Sequence, residues 1–334
     1  MTTIVLFGGR SDERHVSVAS AQNVARVLDR PLCWFWAPEG AIHDTSVDEL
    51  SVHRRPFETD FRPRRPALWP DLEQALDTLP VDDPVFFLAV HGGEGEDGTV
   101  QAMMERRRIA FTGSGSAASA LAFDKERAKE RLRNALRLAE SRTARTSAEL
   151  RTAVDDMLGR YDRIVLKPLA GGSSRGVFEL RRGKRFDRPV TVPYMVEQFI
   201  AGRELTVGVA DLGDGPFVLP PIEIEVDPGF AFDYEGKYLG RGTREICPAK
   251  IPDSMREEAQ EAALTAHTTL GCQGYSRTDF IAADEDHVYF LELNTLPGLT
   301  TSSLVPQELR AANIDFRFFL EKQIELARTR AAVH

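Results

Sequence analysis

Arg277-Thr278-Asp279 and, thirteen residues beyond that aspartate, Glu292-Leu293-Asn294-Thr295-Leu296-Pro297-Gly298 are the stretch on which the reading of the chain turns. Each half lies in a strand pattern, 275–281 and 287–293, with the turn-prone Asp284-Glu285-Asp286 between them. Alternation with a period of two places Arg277 and Asp279 on one face of the first strand, and Glu292 and Asn294 on one face of the second. Joined as an antiparallel pair, the strands predict three oxygen ligands, Asp279, Glu292 and Asn294, meeting at one point beside a cation. Oxygen donors without His or Cys are what Mg²⁺ takes, and Mg²⁺ keeps coordination positions for phosphate oxygens. A lone Asp/Glu pair on a hairpin is more often a solvated face. The Pro-Gly break after Asn294 and the phosphate-type loops elsewhere in the chain favour a metal–nucleotide site.

Composition sets the frame for that site. The 334 residues exceed one comfortable core, so two or three domains are expected. A hydrophobic content of 42% with 28% charged residues describes a soluble globular protein, and no apolar run approaches a membrane span. The net charge of −9 argues against nucleic acid as a partner, which needs a basic surface. An acidic protein that binds a triphosphate must concentrate cations locally, so lysines beside glycines become informative. Cys33, Cys247 and Cys272 lie far apart and form no CxxC pair, which suits a cytoplasmic, reducing setting rather than a disulfide scaffold or zinc site. The N-terminal residues lack a basic n-region and read as a first strand, not a signal peptide.

The remaining motifs fall in order along the chain. Residues 4–7 form a buried-strand run ending at Gly8-Gly9, and Ser11 is placed to cap a helix carrying Val18, Ala21, Ala25 and Leu28 at helical spacing. Glu13 and Ser17 stand at the mouth of that helix, although Glu13 also suits a plain first-turn acid. Residues 51–70, basic and broken by prolines, read as an irregular surface connection. Residues 84–90 are a continuous apolar strand of the parallel, fully buried type. It delivers His91-Gly92-Gly93-Glu94 at its C-terminal end, where open α/β sheets place ligands. A long helix is expected over 117–137, carrying Asp124-Lys125, followed by a poorly patterned segment and a helix near 147–158. A strand at 163–166 runs into Lys167-Pro168 and then Gly171-Gly172-Ser173-Ser174-Arg175-Gly176. Gly and Ser between two strands build a hairpin whose amides can close over phosphates, although a plain surface hairpin has the same composition. It is not a Walker loop, since no helix and no Gly-Lys-Ser/Thr follow. Glu197, Phe199 and Ile200, then Glu204, suit an adenine slot with a ribose-binding carboxylate. Residues 226–247 form a Gly/Tyr/Asp-rich loop long enough to be an active-site flap.

These motifs together resemble the D-alanine–D-alanine ligases of the ATP-grasp fold, almost from end to end and least at 30–80 and 137–160. The resemblance rests on Gly8-Gly9-Arg10-Ser11-Asp12-Glu13-Arg14-His15-Val16-Ser17, on 91–99, on Thr112-Gly113-Ser114-Gly115 with 117–125, and on 167–176, 197–206, 233–239 with Cys247-Pro248, and 277–304. It implies an α/β (α+β ATP-grasp) architecture: an N-terminal open parallel-sheet domain over 1–112, a central domain over 113–196 and a C-terminal domain over 197–334. It implies that Lys125 and Lys167, with Ser173 and Ser174, hold phosphates, that Glu197, Phe199 and Ile200 take adenine and that Glu204 takes ribose. Asp279, Glu292 and Asn294 would carry two Mg²⁺, replaceable by Mn²⁺. Glu13 would bind the ammonium of a first D-alanine, with Val16 and His91 beside it. Arg277 and the amide of Gly298 would form an oxyanion hole, and Lys237, Ser303 and Leu304 would position a second D-alanine. Glu13, Ser173 and Tyr238 would tie the Gly/Ser loop and the flap shut. A homodimer is the family's expected assembly.

The chemistry agrees with that assignment. A carboxylate must be activated before an amine attacks it, here as an acyl phosphate made with ATP. Phosphoryl transfer asks for positioning and charge neutralisation, amine attack asks for donors at the oxyanion, and the intermediate asks for exclusion of water. Three departures stand out: His15 where a second Glu is usual, Arg175 where a small apolar residue is usual, and no Gly-Leu-Pro-x-Pro stretch near residue 140. Two other readings stay open, a related carboxylate–amine or depsipeptide ligase and a non-catalytic ATP-binding regulator. The full set of Lys125, Lys167, Arg277, Asp279, Glu292 and Asn294 speaks against the regulator.

Overall fold

The computed structural model describes residues 2–172, 176–186, 188, 190–227, 242–284 and 287–333. Three sheets organise them. The first is built from β1 (Thr3–Gly8), β2 (Leu32–Trp36), β3 (Ile42–Thr45), β4 (Val85–Leu88) and β5 (Ala110–Phe111), in the order β3-β2-β1-β4-β5. All its pairs are parallel except the edge pair β2–β3. The unbroken apolar runs of β1 and β4 are fully buried, as a parallel sheet covered on both faces requires. The chain leaves β1 through α1 (Arg14–Val27) toward β2 and later returns to β4 on the other side. The order therefore reverses between β1 and β4, and the loops carrying Glu13 and His91 meet at that switch point. Ser17 locks them together: its Oγ accepts from the Gly8 amide at 2.7 Å and donates to the Ala89 carbonyl at 2.7 Å.

Short helices α2 (Val47–Ser51) and α3 (Leu72–Asp77) flank the proline-broken segment, and 52–71 contain turns and one isolated bridge, Ile42–Trp69. Helix α4 (Thr99–Arg106) completes this unit. Its successor is not the single long helix expected from sequence. The chain forms α5 (Ser116–Phe123) and α6 (Lys125–Leu132), broken at Asp124, whose extended backbone lets its carboxylate accept from the Glu126 and Arg127 amides. Nor does Ser11 cap α1. It accepts from the Glu13 amide, and the helix starts at Arg14 without a side-chain cap.

The second sheet is antiparallel, ordered β6 (Ser141–Ala144), β9 (Tyr194–Gln198), β7 (Arg163–Pro168), β8 (Phe178–Arg181), with α7 (Ser147–Arg160) packed on it. Strand β6 lies in the segment that sequence left unpatterned. It is an edge strand of Ser, Arg, Thr and Ala with only Ala144 buried, so no apolar alternation marks it. The third sheet runs β13 (Thr243–Ile246), β12 (Ile222–Val226), β10 (Arg203–Asp211), β14 (Tyr275–Asp284), β15 (His287–Asn294), with β11 (Pro216–Val218) beside β10. Pro220-Pro221 separates β11 from β12, because proline cannot donate to the ladder. Helix α8 (Asp253–Thr269) covers this sheet, and α9 (Leu304–Ala311) and α10 (Phe316–Val333) end the chain. Among the described residues no helix is long and apolar enough to cross a membrane.

Candidate active site

The β14–β15 hairpin has the register that alternation predicts. Arg277 faces Asn294 and Asp279 faces Glu292, so all four share one face. Directly after Asp279 the ladder bulges, Phe280 pairing with Phe290 and Leu291 left over, which places a kink beside the carboxylates. Arg277 grips Asp279 in bidentate fashion, Nε to Oδ1 at 2.8 Å and Nη2 to Oδ2 at 2.7 Å. Thr206 Oγ1 on neighbouring β10 adds a third donor to Oδ1 at 2.6 Å. Two carboxylates and one amide make an all-oxygen donor set. The buried Asn294 Nδ2 has no hydrogen-bond partner among the described residues, an orphaned amide end beside the two carboxylates. These residues fit a hard divalent cation.

A lysine meets this hairpin from α6. Lys125 opens α6 and is only 9% exposed. Its Nζ donates to the Gly171 carbonyl at 2.8 Å and stands 3.1 Å from Glu292 Oε2, joining the glycine loop to the hairpin. Lys167, at the end of β7, lies 2.6 Å from Glu197 Oε2 on the adjacent β9. The other oxygen of Glu197 is taken by Lys129, one turn beyond Lys125. Burial pushes the Glu197 carboxyl up, and Lys167 and Lys129 outweigh it, so its pKa lies below the ordinary carboxylate value. Phe199 and Ile200 follow on the half-buried turn out of β9, with the Arg163 guanidinium 3.6 Å above the Phe199 ring. Glu204 stands half-buried on β10, opposite Ile281.

The first unit closes the circle. Glu13 lies between two glycines: a Cβ on Gly92 would come 2.6 Å from its Oε2, and one on Gly172 3.3 Å from both carboxylate oxygens. The Gly/Ser loop therefore approaches Glu13 through a residue that has no side chain. His91, buried, bridges Ser20 Oγ through Nε2 at 2.9 Å and the Leu296 carbonyl through Nδ1 at 2.9 Å. Ser20 Oγ also accepts from the Leu299 amide at 3.1 Å, and Asn23 donates to the Leu299 carbonyl at 2.8 Å. The chain after β15 is thereby held against α1. Gly298 sits in that segment, where an added Cβ would meet Ser303 Oγ at 2.8 Å and Val16 Cγ1 at 3.8 Å. Ser303 bonds Thr300, and Leu304 packs with Ile222 and Ile224.

Contacts thus run from Glu13 to Gly172, from Gly171 to Lys125, from Lys125 to Glu292 and across the hairpin to Asp279 and Arg277. Leu304 joins this path through Ser303 and Gly298. Ser173, Ser174, Arg175, Lys237 and Tyr238 lie outside the described residues. A cavity of about 470 Å³ between β5, α5 and α10 shares none of these residues.

Three participants went unread in the sequence. Lys129 had a signal, its spacing of four from Lys125 on one helix face. Thr206 had none. Neither had Glu308, a fully buried carboxyl on α9 that accepts from the Gly208 amide at 2.7 Å on the strand next to Arg277. Burial pushes the Glu308 pKa well above the usual carboxylate value, more than the Gly208 amide and Arg277 offset.

The comparisons with known proteins cover nearly the whole chain. Residues 2–114 match the family model described as D-ala D-ala ligase N-terminus, and 134–325 the one described as D-ala D-ala ligase C-terminus. The D-alanine–D-alanine ligase of Desulfotalea psychrophila is 39% identical over 336 aligned positions, covering 96% of this chain and 93% of that protein. That of Bordetella petrii is 36% identical, with 93% and 87% covered. Among solved structures, the VanG D-Ala:D-Ser ligase of Enterococcus faecalis superimposes with a TM-score of 0.79 at 27% identity, covering 98% and 99% of the two chains. The D-alanine–D-alanine ligase of Bacillus anthracis gives 0.74 at 25% identity, with 100% and 99% covered.

Proposed function

The chain belongs to the D-alanine–D-alanine ligase family, an ATP-dependent ligase of the ATP-grasp fold, and on that premise we propose how the described residues join two D-alanines. The carboxylate of the first D-alanine attacks the γ-phosphorus of ATP, ADP leaves, and an acyl phosphate forms. The amine of the second D-alanine attacks that carbonyl, the peptide bond forms and phosphate leaves. The product is D-alanyl-D-alanine, a precursor for peptidoglycan.

In this reading Glu13 holds the ammonium of the first D-alanine, with Val16 and His91 fixing the wall behind it. Arg277 and the Gly298 amide donate to the oxyanion of the second step. Ser303, Leu304 and Lys237 place the second D-alanine. Lys125 and Lys167, with Ser173 and Ser174, hold the phosphates, while Glu197, Phe199 and Ile200 take adenine and Glu204 ribose. Asp279, Glu292 and Asn294 would hold Mg²⁺ or Mn²⁺, two ions in the family's pattern, which when bound neutralise charge on the phosphates. The observation that carries the reading is the placement of Lys125, which spans the Gly171 carbonyl and Glu292 and so joins the phosphate-type loop to the hairpin of oxygen donors. Glu13, Ser173 and Tyr238 close the site over the intermediate, a role supported for Glu13 by its nearness to Gly172.

The division into 1–112, 113–196 and 197–334 belongs to this proposal, since each stretch supplies most of one sheet. So do a cytoplasmic location, where ATP is available, and a homodimer, which light scattering would test. The test of function is ATP consumption and dipeptide mass with D-alanine, L-alanine, D-serine and D-lactate. Turnover is expected with Mg²⁺ and D-alanine and not with L-alanine, because Glu13 at one end and Arg277 with Gly298 at the other leave the methyl group room in one enantiomer only. Equal turnover of L-alanine would overturn it.

A further inference from the structure

Glu197 is held by two ammonium groups, one on each oxygen, and only one of them belongs to a strand that leads into the phosphate-type loop. Lys167 ends β7 immediately before 168–172. Lys129 lies mid-helix on α6, its side chain 6% exposed, and Glu197 is its hydrogen-bond partner among the described residues. We propose that Lys129 is a positioning residue of the nucleotide site, the resident counter-ion that keeps Glu197 compensated when Lys167 turns from Glu197 to the phosphates of ATP.

The argument is one of charge. The cluster holds two cations against one anion, an excess of one positive charge in a buried setting. A fully buried carboxylate left without a cation is strongly unfavourable, so a lysine that was its sole partner could not be released to another anion. With Lys129 fixed on Oε1, Lys167 can leave Oε2 and Glu197 remains paired one to one. The two lysines also repel each other across Glu197, which favours handing one of them to an incoming phosphate. Burial lowers the Lys129 pKa against the opposing pull of Glu197, and the neighbouring Lys167 and Lys125 charges act in the same direction as burial. Lys129 touches neither phosphate nor amino acid in this scheme. It acts through Glu197 and Lys167, and the proposal rests on the reading that Lys167 meets ATP.

The test measures steady-state kinetics together with direct binding of ATP and of inorganic tripolyphosphate by calorimetry. Lys129→Met is expected to raise KM for ATP and weaken tripolyphosphate binding at least tenfold, with KM for D-alanine within twofold. Lys129→Arg, which keeps the charge, should restore most of the ATP affinity. In Lys129→Met/Glu197→Gln, Lys167 has no carboxylate to balance, and tripolyphosphate binding should return to within threefold of wild type. A purely structural lysine predicts the reverse: both constants worsen together and the second substitution brings no recovery. Unchanged ATP binding in Lys129→Met, or no recovery in the double variant, overturns the proposal while leaving the ligase reading intact. If Lys129→Met does not fold, the charge-matched double variant decides alone, and a tenfold loss of tripolyphosphate binding there overturns it. Wild-type protein that binds neither ATP nor tripolyphosphate overturns the ligase reading itself.

Discussion

Arg277 and Asp279 occupy alternate positions of one strand yet bind each other through both oxygens, so the described state joins the two groups that the chemistry needs for separate tasks. Glu292 is in the same position with Lys125. In both pairs a charge proposed to meet substrate or metal is neutralised by another charge of the site, which limits the cost of burying it. The two pairs differ in exposure: Asp279 is 6% exposed, whereas the Glu292 side chain keeps 25% of its surface. Glu292→Gln therefore removes one ligand charge at a quarter-exposed position, and Lys125, which loses its carboxylate, keeps the Gly171 carbonyl as an acceptor. Its activity should fall by about a hundredfold or more at saturating Mg²⁺, with the melting temperature moving only slightly. Activity within a few-fold of wild type would remove Glu292 from the metal site.

At the scale of elements, helix α8 is fastened to the site's central strand by a buried polar contact. His267 Nδ1 lies 2.7 Å from Ser276 Oγ, and burial pulls the His267 pKa from 6.5 down to about 4. The imidazole is neutral in the fold and charged in the unfolded chain anywhere between those two values. The unfolded state therefore binds the extra proton, and stability falls as pH drops from 6.5 toward 4. At pH 5 this one group costs about 2 kcal/mol relative to neutral pH. Urea unfolding at pH 7 and pH 5 should show His267→Gln losing less stability over that interval than wild type by about that amount. Equal losses would mean that His267 is already charged in the fold. The break between α5 and α6 shows the same economy of means: Asp124 stops one helix, caps the next and sets Lys125 in its first turn.

At the scale of the whole molecule, the site exists only where three sheets bring their loops together. The Gly/Ser loop reaches Glu13 through Gly172, and no side chain separates them. Gly172→Ala puts a methyl group 3.3 Å from the Glu13 oxygens, tighter than ordinary contact, without demanding an unusual backbone conformation. The loop should then seat imperfectly and admit water to the acyl phosphate. The expected outcome is more phosphate released than dipeptide formed, by about twofold or more, with overall turnover reduced three- to tenfold, as for loss of one hydrogen bond. A ratio of one would show that Gly172 does not gate closure.

The sequence by itself determined those features whose cause is local. Alternation in 275–294 placed Arg277, Asp279, Glu292 and Asn294 on one face, because side-chain direction in a strand depends only on parity. Apolar runs at 4–7 and 84–90 announced buried parallel strands, and the glycine loops announced where backbone must pass close to other groups. Tertiary structure decided everything that depends on who sits across. Strand β6 carries no pattern because an edge strand buries one residue, and its partner β9 lies some fifty residues on. Glu308 reads as one acid on an amphipathic helix until that helix packs beneath Gly208. Nothing in the sequence couples Lys129 to Lys167; only the fold, which brings α6 to the β7–β9 pair, makes them share Glu197. Charge pairing in a buried site is a property of distance, and distance between residues far apart along the chain is set by the fold.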